Sequence, residues 1–287
     1  RVTCSGTYRL GSSLFHCWKR GGHGSLDMAG AIEQSCDVYF YDTALLTGVD
    51  AIASMGRRFG LGQRFELGLP GERPGLLPTT VWKAANFDES WQRGETVVTG
   101  IGQGYVTATP LQLAIMTARL VNGGIAVRPR LLRGDATDDR RSEATPLIDL
   151  PRTWLDLMRT AMARVVNRPS GTAYRARILD PILQMGGKTG TSQVRRITLA
   201  ERRRGVVANE DLPWERRDHA LFVGFAPVER PRYAAAIVVQ HGGGGSAVAA
   251  PIARDVLLEA QRRGSADENI HDHLTAEVAR DSENRRG

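Results

Sequence analysis

Three extended runs near the C-terminal end of the chain constrain its fold more than any other feature. They are about Leu183 to Gln193, Ala220 to Ala226 and Tyr233 to Gln240. Apolar runs of this length between turn residues read as strands, and consecutive strands of this kind suggest an antiparallel sheet. The first run differs from the others. It reads Met185-Gly186-Gly187-Lys188-Thr189-Gly190-Thr191-Ser192-Gln193. Its glycines let a second backbone or a ligand come close. Lys188 is one of three lysines among 38 basic residues, the others being Lys19 and Lys83, so arginine supplies nearly all the plain positive charge. A lysine kept here offers a compact ammonium with a tunable proton. Thr189 and Thr191 add hydroxyls, and the Thr191 N–H is a candidate donor to a developing oxyanion. The plain alternative is a glycine-rich strand edge carrying an incidental lysine.

Upstream, the pattern is helical. Residues 1–26 are rich in Gly, Ser, Cys and His and read as loop with short extended pieces. Asp27 to Leu46 reads as one helix stopped by Gly48, and Val49 to Phe59 as a second closed by Gly60. Residues 61–95, with Pro70, Pro74 and Pro78, read as a long irregular surface loop with exposed Trp82 and Trp91. Thr109-Pro110-Leu111-Gln112 is a capping box with proline at the first helical position, opening a helix to Val121. Residues 133–149 read as a surface excursion, and Pro151 to Val166 as an amphipathic helix. Gly171-Thr172-Ala173 reads as a turn. Val194 to Asp218 is an arginine-rich loop, read as solvated or as contacting an anionic partner. Ala247 to Arg263 is a final helix. The expected organisation is a helical part over about 1–182, a sheet with the last helix over about 183–263, and a polar disordered tail over 264–287.

The 287 residues are 41 % apolar and 24 % charged, which suits one large domain or two smaller ones. The formal net charge of +7 fits a nearby anionic polymer or membrane surface. No RNA- or DNA-binding motif accompanies it and aromatics are only 6 %, so nucleic acid is not an expected partner. No run of 18 apolar residues is present. The chain starts at Arg1 and enters a strand-like Val-Thr-Cys, which reads as the C-terminal part of something longer.

Three spaced elements then line up in one order: Ser35-Cys36-Asp37, the segment Gly100-Ile101-Gly102-Gln103-Gly104 running on to Thr109-Pro110-Leu111-Gln112, and Lys188-Thr189-Gly190-Thr191. This order resembles the class B penicillin-binding proteins. His23-Gly24 and Asp37-Val38-Tyr39-Phe40-Tyr41 are similar to the elongation-specific branch, penicillin-binding protein 2. The resemblance covers about residues 1–263. It implies an α/β (α+β) fold of the penicillin-binding/β-lactamase-like kind, an antiparallel sheet flanked by helices, with the N-terminal part of that fold missing. The family's nucleophile lies in Ser-x-x-Lys. Here the three lysines are preceded at that offset by His16, Thr80 and Met185. The nucleophile is therefore expected upstream, and the 287 residues alone are not expected to react with penicillin.

The resemblance implies a peptidoglycan D,D-transpeptidase acting through a serine acyl-enzyme on the D-Ala-D-Ala end of stem peptides. Ser35 would pass a proton to the leaving amine, with Lys188 raising the local positive potential. Thr189, Gly190, Thr191 and Ser192 would bind substrate, and the Thr191 N–H would serve the oxyanion hole. Asp37 stands where the family more often has asparagine, and an ionised carboxylate cannot donate to a substrate carbonyl. It is expected to pair with Lys188 or to hold a proton. The implied partners are stem peptides, β-lactams and a membrane glycosyltransferase of the elongation machinery, with the catalytic domain in the bacterial periplasm and its anchor in the inner membrane. Competing readings are a serine β-lactamase or D,D-carboxypeptidase, and a non-catalytic β-lactam sensor or interaction module.

The cysteines suggest a metal. Cys4, Cys17 and Cys36 with His23 form the pattern C-x12-C-x5-H-x12-C. Three thiolates and an imidazole can close a tetrahedral structural zinc site. A disulfide with one thiol left over, or three inert buried thiols, are the alternatives. His16 is the rival imidazole. His23 is preferred because Gly21, Gly22 and Gly24 permit a tight approach.

Overall fold

The structure is a computed structural model that describes residues 1–131, 148–195 and 197–264. Its first 26 residues form two small antiparallel pairs. Strand β1 (Val2–Cys4) pairs with β4 (Gly24–Leu26), and β2 (Thr7–Leu10) pairs with β3 (Ser13–His16). The expected single helix over Asp27–Leu46 is two helices. Helix α1 (Met28–Glu33) starts at Asp27, whose carboxylate accepts from the Gly30 N–H at 2.8 Å, and α2 spans Asp37–Thr47. Between them Ser35 adopts φ 54°. A non-glycine residue in that left-handed region breaks helical continuity.

Helix α3 (Val49–Arg58) follows as expected. Residues 61–95 are more ordered than their composition suggests. Helix α4 (Thr80–Phe87) is capped by Thr79, which accepts from the Trp82 N–H, and α5 (Arg93–Thr99) is capped by a reciprocal Gln92–Glu95 box. Trp82 is half-buried, edge-on to Phe87 and Tyr105, and the same cluster closes over Lys83, which is 4 % exposed. The Lys83 ammonium lies 3.0 Å from Glu95, 3.2 Å from Glu89 and 3.0 Å from the Tyr105 hydroxyl. The capping box at Thr109 and Gln112 opens helix α6 (Pro110–Val121). Helix α7 (Arg152–Asn167) completes the helical part.

Strands β5 (Gly186–Ser192), β6 (His219–Ala226) and β7 (Tyr233–Val239) form an antiparallel sheet in that order. The β5–β6 register pairs Lys188 with Val223 and Thr191 with Ala220. The loop expected over 194–218 contains helix α8 (Leu199–Arg204), whose Glu201 takes both guanidinium nitrogens of Arg195. The last helix begins with a wide turn at Gly245–Ala249 and continues as α-helix over 250–264. The surface excursion and the polar tail lie outside the described residues, apart from their edges at 148–149 and 264.

The main core lies between α1, α7, the sheet and the last helix, with Ile32, Met162, Val165, Met185, Phe222, Phe225 and Leu257 inside it. Glycine makes the closest packing possible. A side chain at Gly186 would meet the Phe225 ring and the Ala163 backbone of α7, and one at Gly224 would meet Leu257 of the last helix. Asn167 ties α7 to the strand by donating to the Met185 carbonyl at 2.9 Å. Phe225 is fully buried in this layer. Its replacement by alanine is expected to cost about 3–5 kcal/mol of unfolding free energy, readable as a lower urea midpoint with an unchanged slope.

Candidate active site

The break between α1 and α2 and the edge strand β5 bring the site together. The Ser35 hydroxyl accepts from the Lys188 ammonium at 2.8 Å across 153 residues of sequence. The same ammonium donates to the Thr189 carbonyl at 3.0 Å. Burial pulls the Lys188 ammonium down to about 8, while the charge of Asp37 opposes that shift. Lys188 is therefore able to hold or release its proton near neutral pH.

Ser35 is held from both sides. The Trp18 indole N–H donates to the Ser35 carbonyl at 2.8 Å and to the Gln34 carbonyl at 3.1 Å. The Ser35 N–H reaches the Ile32 carbonyl, and the Cys36 N–H reaches Ala31 at 2.9 Å. Contacts of this kind let a left-handed serine persist, because the surrounding bonds over-determine its backbone. Asp37 does not form an ion pair with Lys188 among the described residues. Its carboxylate accepts the Trp18 backbone N–H at 2.8 Å. Burial pushes it up to about 7, against the lowering effect of that N–H.

Strand β5 presents the other candidate residues. Thr189 Oγ1 lies 2.9 Å from Thr172 Oγ1, and the Gln103 carboxamide donates to the Thr191 carbonyl at 2.8 Å. In an antiparallel ladder the N–H and C=O of one residue point to the same side, alternating along the strand. The carbonyls of Thr189 and Thr191, two residues apart, both accept side chains rather than β6. The Thr191 N–H therefore also faces away from β6, toward the Lys188 side of the edge. Gly190 and Ser192 lie on the same strand, paired with Leu221 and His219. Thr172 is set by its N–H bond to the Glu33 carbonyl at 3.3 Å, and the neighbouring Ser170 hydroxyl bonds the buried Glu33 carboxylate. A side chain at Gly171 would strike the carbonyls of Arg164 and Val165, so the turn packs directly on the end of α7.

Sequence reasoning gave no role to Trp18, Gln103 or Thr172. Gln103 stood in the quoted glycine-rich segment and Thr172 in a turn. Their partners are 88 and 17 residues away, and neither spacing is a local pattern.

The four candidate metal ligands also converge. Their ligand atoms lie within 4.8 Å of one another, and all three thiols are free and buried. His23 Nδ1 lies 3.6 Å from Cys4 Sγ and 3.5 Å from Cys17 Sγ. Zinc bonds of about 2.3 Å to sulfur and about 2.0–2.1 Å to nitrogen, at tetrahedral angles, would set such atoms about 3.5–3.6 Å apart. The two distances from His23 therefore match a nitrogen and a sulfur on one such ion. His16 is elsewhere, its carbonyl taking the Tyr41 hydroxyl at 2.9 Å. The Cys17 thiol is held well below the usual thiol range, first by hydrogen bonding with Cys36 and further by the backbone around Lys19, Asp37 and Val38. Cys36 is correspondingly pushed up, first by the same hydrogen bond and then by burial. His23 Nε2 is buried with no hydrogen-bond partner among the described residues.

The chain belongs to the penicillin-binding protein transpeptidase family: residues 1–258 match the penicillin binding protein transpeptidase domain. The fold is the penicillin-binding/β-lactamase-like one of its structural neighbours. Among its relatives is the peptidoglycan D,D-transpeptidase MrdA of Acinetobacter baumannii, 40 % identical over 251 residues, which are 84 % of this chain and 36 % of that protein. The crystal structure of Pseudomonas aeruginosa PBP2 in complex with WCK 5153 superimposes with a TM-score of 0.76 at 38 % identity, over 89 % of this chain and 52 % of that one. The Helicobacter pylori complex between PBP2 and MreC gives 0.75 at 29 % identity, over 91 % of this chain and 44 % of that one. The chain thus spans well under half the length of the curated relatives it matches.

The Trp18 indole is the most accessible of the supports around Ser35. Trp18→Phe keeps the ring face and removes the donor to two carbonyls. We expect a loss of about 1 kcal/mol in stability, since water can reach these partly exposed carbonyls, checked by chemical denaturation.

Proposed function

We propose that this chain supplies the proton-relay and substrate-binding side of a peptidoglycan D,D-transpeptidase acting through a serine acyl-enzyme during cell elongation. The contact between Lys188 and the Ser35 hydroxyl, beside the outward edge of β5, is the observation that carries this reading. In this reading the attacking serine would be that of a Ser-x-x-Lys segment, a pattern the 287 residues do not contain. It would attack the penultimate D-Ala carbonyl of a stem peptide, giving its hydroxyl proton to the lysine of that segment, and the amide bond to the terminal D-Ala would break as the ester forms. The oxyanion would lie at the Thr191 N–H, with the attacking serine's own N–H as second donor; one such donor contributes about 3–4 kcal/mol to the transition state. Ser35 would deliver a proton to the departing D-Ala amine, and the positive charge of Lys188 would favour that transfer. The hydroxyls of Thr189 and Thr191 would bind the substrate carboxylate, with Thr172 orienting Thr189. Gly190 leaves room on the strand for the peptide, and Ser192 continues its polar edge. The amine of a second peptide then takes the acyl group and forms the cross-link; water in its place would give carboxypeptidase activity.

The partners consistent with this reading are stem peptides, β-lactams, a membrane glycosyltransferase of the elongation machinery and a protein of the MreC kind. No helix among the described residues is long and apolar enough to cross a membrane. A periplasmic domain anchored in the inner membrane by another part of the protein fits both this and the chemistry.

Structural zinc held by Cys4, Cys17, His23 and Cys36 belongs to the proposal. The metal would replace thiol hydrogen bonds with a rigid cross-link between the N-terminal strands and the start of α2. Cys36 adjoins Ser35, so the cross-link would fix the residue that presents the hydroxyl. The expected result is about one equivalent of zinc per chain by elemental analysis, with a lower melting temperature after chelation. A metal-free protein whose melting temperature ignores the chelator would remove zinc from this account, and two unreactive thiols without metal would assign a disulfide.

The catalytic proposal is tested on the full-length gene product with labelled penicillin. Covalent labelling is expected, with Ser35→Ala losing turnover to cross-linked product. The rate should fall as pH rises through about 8, because the Lys188 ammonium is complete below that pH and lost above it. Lys188→Arg should move the falling limb upward, since guanidinium stays charged. A limb that stays in place would mean that Lys188 is not the titrating group.

A further inference from the structure

Strand β5 lies at the edge of its sheet, paired only with β6 among the described residues. An exposed edge is a template on which an extended peptide can add as a further strand, through main-chain hydrogen bonds. Two of its outward carbonyls, those of Thr189 and Thr191, are already engaged. Thr189 takes the Lys188 ammonium, a contact built into the strand itself. Thr191 takes the Gln103 carboxamide, which arrives from the loop between α5 and α6. Only the nitrogen end of that carboxamide can face a carbonyl, so the bond reproduces what a backbone N–H of a bound peptide would donate.

The loop carries Gln103 in a particular way. Gly102 and Gly104 on either side have φ 75°, a conformation suited to glycine. The loop's own backbone is anchored independently of the side chain. The Gln103 N–H donates to the Val98 carbonyl at 3.1 Å, and the Gly102 N–H to Thr99 at 2.9 Å. The side chain can therefore leave Thr191 by rotating its own torsions, while the loop stays bonded to the end of α5. The half-buried carboxamide and the exposed Thr191 meet at the surface, so water can replace either partner during the exchange.

We propose that Gln103 is a specificity-determining residue that stands in for the substrate's backbone amide. It holds the Thr191 carbonyl in the free enzyme and yields it to an acyl donor that carries an N–H at that position. A donor without such an N–H leaves the carboxamide in place. Gln103 thereby sets a threshold that only a peptide able to pair with β5 is suited to cross. This rests on the transpeptidase reading and deepens it by naming the feature of the donor that the edge selects.

The test compares two β-lactams on the full-length gene product. One is benzylpenicillin, whose side chain carries an amide N–H. The other is a carbapenem with a hydroxyethyl group in that place and no N–H. Gln103→Ala removes the competitor for the carbonyl. Second-order acylation by benzylpenicillin is expected to rise by about threefold to tenfold, the span of one net hydrogen bond, with the carbapenem unchanged within about twofold. Gln103→Met, of similar length and without a donor, should repeat this selective gain and covers the case of a misfolded alanine variant. A parallel fall with both compounds in both variants would make Gln103 a brace of the loop and overturn the proposal. Equal rates for wild type and variants with benzylpenicillin would overturn it as well. If the wild-type protein is acylated by neither compound, it is the transpeptidase reading that fails.

Discussion

A desolvated ammonium must be surrounded by acceptors, and the structure around Lys188 answers that requirement. Its partners are the Ser35 hydroxyl from the break between α1 and α2 and, on its own strand, the carbonyl and (at 3.5 Å) the hydroxyl of Thr189. None carries a full charge, and the Asp37 carboxylate accepts its hydrogen bond from the Trp18 N–H. Neutral acceptors in a desolvated place do not fully compensate a charge, which is why the Lys188 proton is held more loosely than on an exposed lysine. The site thus keeps a proton donor and a hydroxyl in contact without locking them in an ion pair. Lys83 shows the opposite solution in the same chain. It is enclosed too, but Glu89 and Glu95 face it directly, and it closes an aromatic cluster. The two lysines differ in what encloses them, neutral acceptors at Lys188 and carboxylates at Lys83.

The position of Ser35 depends on a second constraint. Its backbone is left-handed, so the residue would not adopt it without support. The first 26 residues supply that support. They form two strand pairs, and the segment joining β3 to β4 carries Cys17, Trp18 and His23 against residues 35 and 36. These strands are marginal by themselves, since they are three or four residues long. Their value lies in what they hold. The indole fixes the carbonyl of residue 35, and the thiol and imidazole cluster surrounds residue 36. The N-terminal segment is therefore what holds residues 35 and 36 in place.

How much of this the sequence disclosed follows from the range of each signal. The sheet was legible because apolar runs between turn residues mark strands locally, and α6 because Thr109, Pro110 and Gln112 state its start within four residues. The quartet of Cys4, Cys17, His23 and Cys36 was legible by residue type, and the choice of His23 over His16 by its flanking glycines. The break at Ser35 was not. Ile32 and Cys36 keep a helical spacing of four across it, and neither glycine nor proline marks the left-handed residue. Helix α4 was hidden by the prolines before it, although Thr79 after Pro78 is a cap that could have been recognised. Contacts such as Thr172 with Thr189 join segments whose proximity only the packed fold determines.

The glycines of β5 show how the two demands on that strand are reconciled. Gly186 and Gly187 are set by the core: side chains there would enter the rings of Phe225 and Phe222. Gly190 has a looser neighbour, with a side chain coming within 3.3 Å of Leu221. The strand is therefore tightly fixed at the end before Lys188 and freer beyond it. A strand so short of side chains offers an unusually bare edge, the kind that pairs with any extended chain. Here the carbonyls of Thr189 and Thr191 are instead covered by internal donors: one from the strand's own lysine, and one from a glutamine on a glycine-flanked loop. Lys188 covers the strand from within it and Gln103 from a separate loop, so the two covers differ in how far they depend on β5 itself.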